Sequence, residues 1–268
     1  MTIGSFIPIR LDSERLPAKS LKMAAGQYLL YHLLDRVAAC PLIEDKKNIV
    51  VCTTPNAVDD PLVEAVEAYG ASAFRGNKDD LIQRFKDAED HFGFEYVLQV
   101  DGDDPIVDTD YMTRTLQALI DDPSLDACTT RGLPFGVNVK SYRGSSIYKV
   151  YEAYQSANND TGYALYFIQS DLCKCAFIDP VKPEDVFDEA RLTLDYEEDL
   201  EVFRKILDAF YKPGEEPARI AEINAFLRAH PEIVAINAGL QESYMERSRA
   251  KVNLEYVDPS GATRRIDY

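Results

Sequence analysis

Up to residue 120 the chain alternates short apolar runs with segments of helical spacing, and this most restricts its fold. Residues 3–9, 48–53, 71–74 and 95–100 read as buried strands. Between them, Leu29, Leu30, His32, Leu33, Leu34 and Val37 recur at helical spacing within 27–39, as do Leu81, Ile82, Phe85 and Ala88 further on. End signals agree. Asp60-Pro61 opens a helix through Tyr69 that Gly70 ends, Asp79 or Asp80 opens the next, and Asp108 or Thr109 caps one through Ile120. Strands joined by crossover helices predict an α/β fold, a mostly parallel twisted sheet flanked by helices.

The middle departs from that rhythm. Residues 126–130 and 135–142 predict strands around Gly132, Pro134 and Gly136, a smaller mixed β insertion. A tyrosine-rich helix is expected over 145–157, a loop over 158–162, a strand over 191–194 and an amphipathic helix over 198–210. Lys212–Pro217 (KPGEEP) reads as a linker and 218–229 as a helix. His230-Pro231 breaks it, 233–236 reads as extended, and a charged, partly helical tail follows Gly239. The expected layout is one domain over 1–237, with 131–190 as an insertion, and a tail over 238–268.

Composition excludes several classes. With 46 acidic against 29 basic residues, a formal charge of −17, the chain lacks the basic face that nucleic acid or an anionic membrane requires. No apolar run reaches the ~18–20 residues of a membrane helix, and no secretory signal opens the chain. Cys40, Cys52 and Cys128 sit in strand-like or apolar surroundings. Cys173 and Cys175 form C-x-C rather than a redox or zinc pair, so reduced thiols and a cytoplasmic location are expected. His32 lies on an apolar helical face, and His91 and His230 at helix ends, which makes a histidine metal site improbable. Neither a Walker loop nor a nucleophile elbow occurs.

Against that acidic background, the loop after the first strand reads IPIRLDSERLPAKSL, residues 7–21. Arg10, Arg15 and Lys19 fall within ten residues of each other, with Ser13 and Ser20 adding hydroxyls and Pro8 and Pro17 stiffening the path. Spaced Arg and Lys outside a strand's carboxyl end suit a polyphosphate, and a solvated basic loop is the plain alternative. A second strand end delivers Asp101-Gly102-Asp103-Asp104-Pro105, and a third delivers Asp195 within LTLDYEED. The first of these suits a metal ion better than a plain solvated turn, and Asp195 on its own reads as a helix cap. Asp103 and Asp195, if the fold joins them, would hold one Mg²⁺ opposite the cations on phosphates, making a nucleotidyl-transfer site. Arg75 and Asp80 flank another strand end, where nucleotide contact and a plain helix start fit equally. Tyr142, Tyr148, Tyr151, Tyr154, Tyr163 and Tyr166 line a pocket or an interface, or pack in the core.

These residues resemble a family. The basic loop is similar to the signature loop of bacterial cytidylyltransferases: the 3-deoxy-manno-octulosonate, acylneuraminate and spore-coat-polysaccharide groups, the last fitting best. FRGNKDDLIQRFKDA (74–88), VDGDDPIVD (100–108), RLTLDYEEDLEVFRKI (191–206) and HPEIVAIN (230–237) are similar to its landmarks, in its order. The resemblance implies a GT-A-like (Rossmann-like) fold binding CTP and Mg²⁺. It assigns Pro8, Arg10, Ser13, Arg15, Lys19, Arg75 and Asp80 to nucleotide binding, Arg15, Lys19 and Asp103 to catalysis, and Asp103 and Asp195 to the metal. It also implies attack of a small anionic acceptor on the α-phosphate, release of pyrophosphate, and a homodimer formed through 131–190. Ile9 and Ala18 stand where the family usually has Ala and Gly, Asp101 where Gln or Thr is common, and NNDTGYAL (158–165) lacks the family's acidic-histidine stretch. The acceptor is accordingly a sugar acid, a phosphosugar, or a phosphonate or phosphate monoester. A glycosyltransferase of the same architecture, with Asp101-Gly102-Asp103 as its D-x-D, and a non-catalytic nucleotide-binding protein are the competing readings.

Overall fold

The computed structural model describes residues 1–156 and 159–266. Eleven strands and ten α-helices follow one another: β1 (Ile3–Pro8), β2 (Met23–Ala24), β3 (Gln27–Tyr28), α1 (Leu29–Ala38), β4 (Ile49–Thr53), α2 (Asp60–Tyr69), β5 (Ser72–Arg75), α3 (Leu81–Phe92), β6 (Tyr96–Gln99), α4 (Thr109–Asp121), β7 (Ala127–Thr130), β8 (Lys140–Arg143), α5 (Gly144–Ala153), α6 (Leu165–Ile168), β9 (Cys175–Ile178), α7 (Glu197–Phe210), α8 (Ile220–Ala229), α9 (Pro231–Asn237), α10 (Leu240–Lys251), β10 (Leu254–Val257) and β11 (Thr263–Ile266). Seven strands form one sheet in the order β5-β4-β1-β6-β8-β7-β9. All neighbours run parallel except β8, which is antiparallel to both β6 and β7.

The strands are buried on both faces because helices cover both. Successive side chains alternate between two cores. Ile7, Ile49, Val51 and Leu98 pack on one side with α1, α4, α7 and α8. Phe6, Val50, Cys52 and Val97 pack on the other with Phe85 of α3, Ile147 of α5 and Tyr166 of α6. Gly4 permits this layering, since a Cβ there would fall 2.2 Å from the Phe94 ring.

Four expectations change. Residues 231–237 are helical rather than extended, because Pro231 supplies a ready first-turn φ and needs no N–H partner. The expected strand at 191–194 is a single bridge from Arg191 to Phe135. The segment 238–268, expected as a tail, is folded as far as residue 266: α10 lies along the cleft described below, and β10–β11 buries Leu254, Tyr256 and Ile266 against the second core. The helix expected over 145–157 closes at Ala153; Ala157 and Asn158 lie outside the described residues. Among the described residues no helix is long and apolar enough to cross a membrane.

Candidate active site

A cleft of about 760 Å³ opens at the carboxyl ends of β1 and β6. The loop leaving β1 supplies its basic wall. Ala18 takes a left-handed conformation, φ 52°, and its N–H donates to the Leu11 carbonyl, closing the loop so that Lys19 turns inward. The acidic floor comes from two segments pinned to each other: the Leu194 N–H donates to the Asp103 carbonyl at 2.8 Å, and the Leu192 N–H donates to the Phe135 carbonyl at 2.7 Å. Gly136, with φ 92°, allows this approach, since a Cβ there would sit 2.2 Å from the Leu192 carbonyl. Gly102 does the same under β1, where a Cβ would fall 2.7 Å from the Pro8 carbonyl.

The convergence is direct. Lys19 Nζ donates to Asp103 Oδ2 at 3.0 Å, Asp195 Oδ1 at 3.1 Å and the Leu194 carbonyl at 2.7 Å. Arg15 also bonds Asp195. Behind it, Arg191 Nη2 reaches Asp195 Oδ2, and Arg191 Nε reaches Asp199 Oδ1 at 3.0 Å. Asp199 Oδ2 in turn accepts from the N–H groups of Asp195 and Tyr196 at the head of α7. Burial alone would raise the Asp195 carboxyl, but Lys19 and Arg15 overcome it and hold the group below the usual range. Burial would lower the Lys19 ammonium, and the two carboxylates hold it above the usual lysine range. Asp103 is raised by burial, with Asp195 and Asp101 repelling it against the pull of Lys19. Asp104 is pushed well above the carboxylate range by burial and by Asp103, and its Oδ1 has no hydrogen-bond partner among the described residues.

The donor set suits a hard divalent cation. Two carboxylates within reach of one ammonium match the one or two that Mg²⁺ takes alongside waters and phosphates. Among the described residues no cluster of three or more acidic, His or Cys side chains is placed to hold a metal, so a substrate's oxygens would complete the shell.

Pro8, Arg10, Ser13, Arg15, Lys19, Asp103 and Asp195 all line the cleft. Arg75 and Asp80 do not. Arg75 turns to Asp60 and the carbonyls of Thr54 and Asn56, and Asp80 caps α3 through the Gln83 N–H while accepting from Tyr154. Asp80 thus serves as the N-cap of α3, and Arg75 closes β5 beside it. Of the six singled-out tyrosines, Tyr163 lines the cleft.

A family model described as cytidylyltransferase matches residues 5–210. The chain belongs to the cytidylyltransferase family. Spore coat polysaccharide biosynthesis protein SpsF of Bacillus subtilis is 25% identical over 231 residues, covering 84% of this chain and 94% of its own. In structure, the chain is similar to a cytidylyltransferase from Leptospira borgpetersenii (TM-score 0.77, 23% identity, 87% of this chain and 97% of that one). It is also similar to a CMP:2-keto-3-deoxy-manno-octonic acid synthetase complexed with CTP (TM-score 0.60, 17% identity, 78% and 99%). The last two likenesses carry the fold.

The cleft of this cytidylyltransferase also holds residues that sequence reasoning passed over. Lys140 on β8 binds Asp101 Oδ2 at 2.6 Å, and Gln99 and Tyr163 donate to Asp101 Oδ1. Burial works to raise Asp101, but Lys140 holds it below the usual range. The extra acid at this family position is therefore neutralised by a cation from the antiparallel strand. Tyr244 and Arg247 of α10 face the cleft as well. The ring of Tyr244 lies 5.8 Å from the Arg15 guanidinium and 4.8 Å from that of Arg191.

Proposed function

We propose that the enzyme transfers CMP from CTP to a small anionic acceptor and releases pyrophosphate. The observation that carries this reading is the Lys19 ammonium set between Asp103 and Asp195, with Arg15 on the same carboxylate. An acidic protein concentrates cations and convergent carboxylates at one sheet edge, where a triphosphate with Mg²⁺ is their natural complement. Arg10, Ser13, Arg15 and Lys19 would orient the phosphates. Asp103 and Asp195 would hold Mg²⁺, which when bound neutralises charge developing on the α-phosphate and the departing pyrophosphate. Lys19 and Arg15 are placed to do the same from the protein side, and a single such charge is worth about 3–4 kcal/mol of barrier. The acceptor's oxygen attacks the α-phosphorus, and the bond to the pyrophosphate oxygen breaks.

A homodimer through 131–190 belongs to the same reading. Phe177 and Val181 are exposed large apolar residues at the edge strand β9 and just after it. Sedimentation at micromolar concentration checks it.

The deciding assay measures pyrophosphate from CTP, ATP, GTP and UTP with Mg²⁺ across sugar acids, phosphosugars, phosphonates and phosphate monoesters, beside thermal shifts with each nucleotide. CTP-selective release and stabilisation are expected. A ligand at 100 times its Kd adds about 2.7 kcal/mol. No release with any acceptor, together with no stabilisation by CTP, overturns the reading.

A further inference from the structure

We infer that the cleft-facing side of α10 selects an acceptor bearing a dianionic phosphoryl group, a phosphate monoester or a phosphonate, through Arg247 and Lys251. This rests on the cytidylyl-transfer reading and names its acceptor class.

Four residues of α10 line the cleft: Tyr244, Arg247, Ser248 and Lys251. Their spacing of three and four positions puts them on one helical face. The helix lies beyond the residues that the cytidylyltransferase family model matches, 5–210. Arg247 sits 5.4 Å from the centre of the Tyr196 ring, and Arg15 approaches the same ring at 5.4 Å. Arg247 therefore stands next to the charged floor, and Lys251 lines the same cleft one turn further along the helix.

The other cations here are largely committed. Arg15 and Lys19 hold Asp195, Lys140 holds Asp101, and Arg10 holds Asp160 at 2.8 Å. Arg247 and Lys251 are exposed and make no carboxylate contact among the described residues; Arg247 donates only to Ser243. A guanidinium fork and an ammonium one turn apart match a group with three equivalent oxygens and two charges better than a single carboxylate.

The chemistry points the same way. An alcohol nucleophile must lose a proton to a base, and Asp101, Asp103 and Asp195 at the cleft floor are each bound to a cation, whereas a dianionic phosphoryl group needs no base at all. A dianionic phosphoryl oxygen arrives ionised. It forms a bond to the α-phosphorus of CTP; the bond from that phosphorus to the β-bridging oxygen breaks, pyrophosphate leaves with the electron pair, and a CMP-linked anhydride remains. No proton moves.

The test is calorimetry on the full chain with Mg²⁺. The α,β-methylene analogue of CTP is titrated first. Then sn-glycerol 3-phosphate, propylphosphonate and 3-deoxy-manno-octulosonate are titrated in turn into the analogue-saturated enzyme. At least one phosphoryl probe is expected to bind ten times more tightly than the sugar acid, and comparing the two separates phosphate from phosphonate. Arg247→Ala/Lys251→Ala is expected to weaken that probe at least tenfold and the analogue less than twofold. Arg249→Ala, on the same helix but outside the cleft lining, should change neither. Equal or tighter binding of the sugar acid, an unaffected phosphoryl probe in the double variant, or an equal loss for the analogue overturns the inference while leaving CTP binding intact. Failure of the analogue to bind wild type instead removes the reading beneath it.

Discussion

Arg191 and Asp195 form an ion pair that water hardly reaches: Nη2 lies 3.3 Å from Oδ2, and the side chains are 2% and 1% exposed. The same guanidinium grips Asp199, which Asn237 also contacts at 2.8 Å. Arg191→Met leaves two buried carboxylates facing each other with one cation fewer. Stability should fall by about 3–5 kcal/mol, the usual cost of orphaning one side of a buried pair. Urea unfolding followed by far-UV dichroism measures it, and a loss under 1 kcal/mol would show that the network relaxes.

Lys19→Met removes the ammonium between Asp103 and Asp195. Turnover should drop roughly 10²–10³-fold, the scale seen when one preorganised charge is lost from a transition-state site. Asp103→Asn, which keeps shape but removes an anionic oxygen, should also suppress turnover with its dichroism spectrum unchanged. Steady-state kcat and kcat/KM for CTP report both, and wild-type rates in the two variants would refute the site.

Ala18 holds φ 52°, in the left-handed region that favours glycine. A Cβ in the left-handed region costs about 1–2 kcal/mol, part of which glycine returns as unfolded-state entropy. Ala18→Gly should therefore raise stability by about 0.5–1 kcal/mol in a thermal melt, with the Lys19 contacts kept. A lower Tm would mean that the loop needs the alanine's stiffness.

Glu89 gives a pH signature outside the site. Burial pushes its carboxyl up to about 7, and Oε2 has no hydrogen-bond partner among the described residues. Between its ordinary value of 4.5 and about 7, the folded chain keeps a proton that the unfolded chain has released. Stability is thus full below that window and falls as pH rises through it. Glu89→Gln should flatten this slope in denaturant melts taken from pH 4 to 8.

The parallel half of the sheet was legible because each strand is a short apolar run and each helix carries its own end signals. Asp103 and Asp195 were legible for the same reason, as each closes an apolar run. Lys140 was not, because its place depends on β8 pairing antiparallel with β6, opposite Gln99, and nothing local in KSYR announces that partner. Arg75 and Asp80 show why sequence alone left two readings open there: a helix cap and a ligand loop share one vocabulary of Asp, Asn and Gly at a strand end. α10 lacks an apolar stripe, so LQESYMERSRAK reads as solvated; its position follows from Tyr244 packing against the Arg15 and Arg191 guanidiniums, a long-range contact.

That contact has a kinetic meaning. Arg15 and Tyr244 belong to opposite reaches of the polypeptide, and closing so wide a loop is among the slower events in reaching a native state. A refolding sample should regain its helical signal first and its competence for turnover only afterwards, when the early basic loop and the late aromatic ring finally meet.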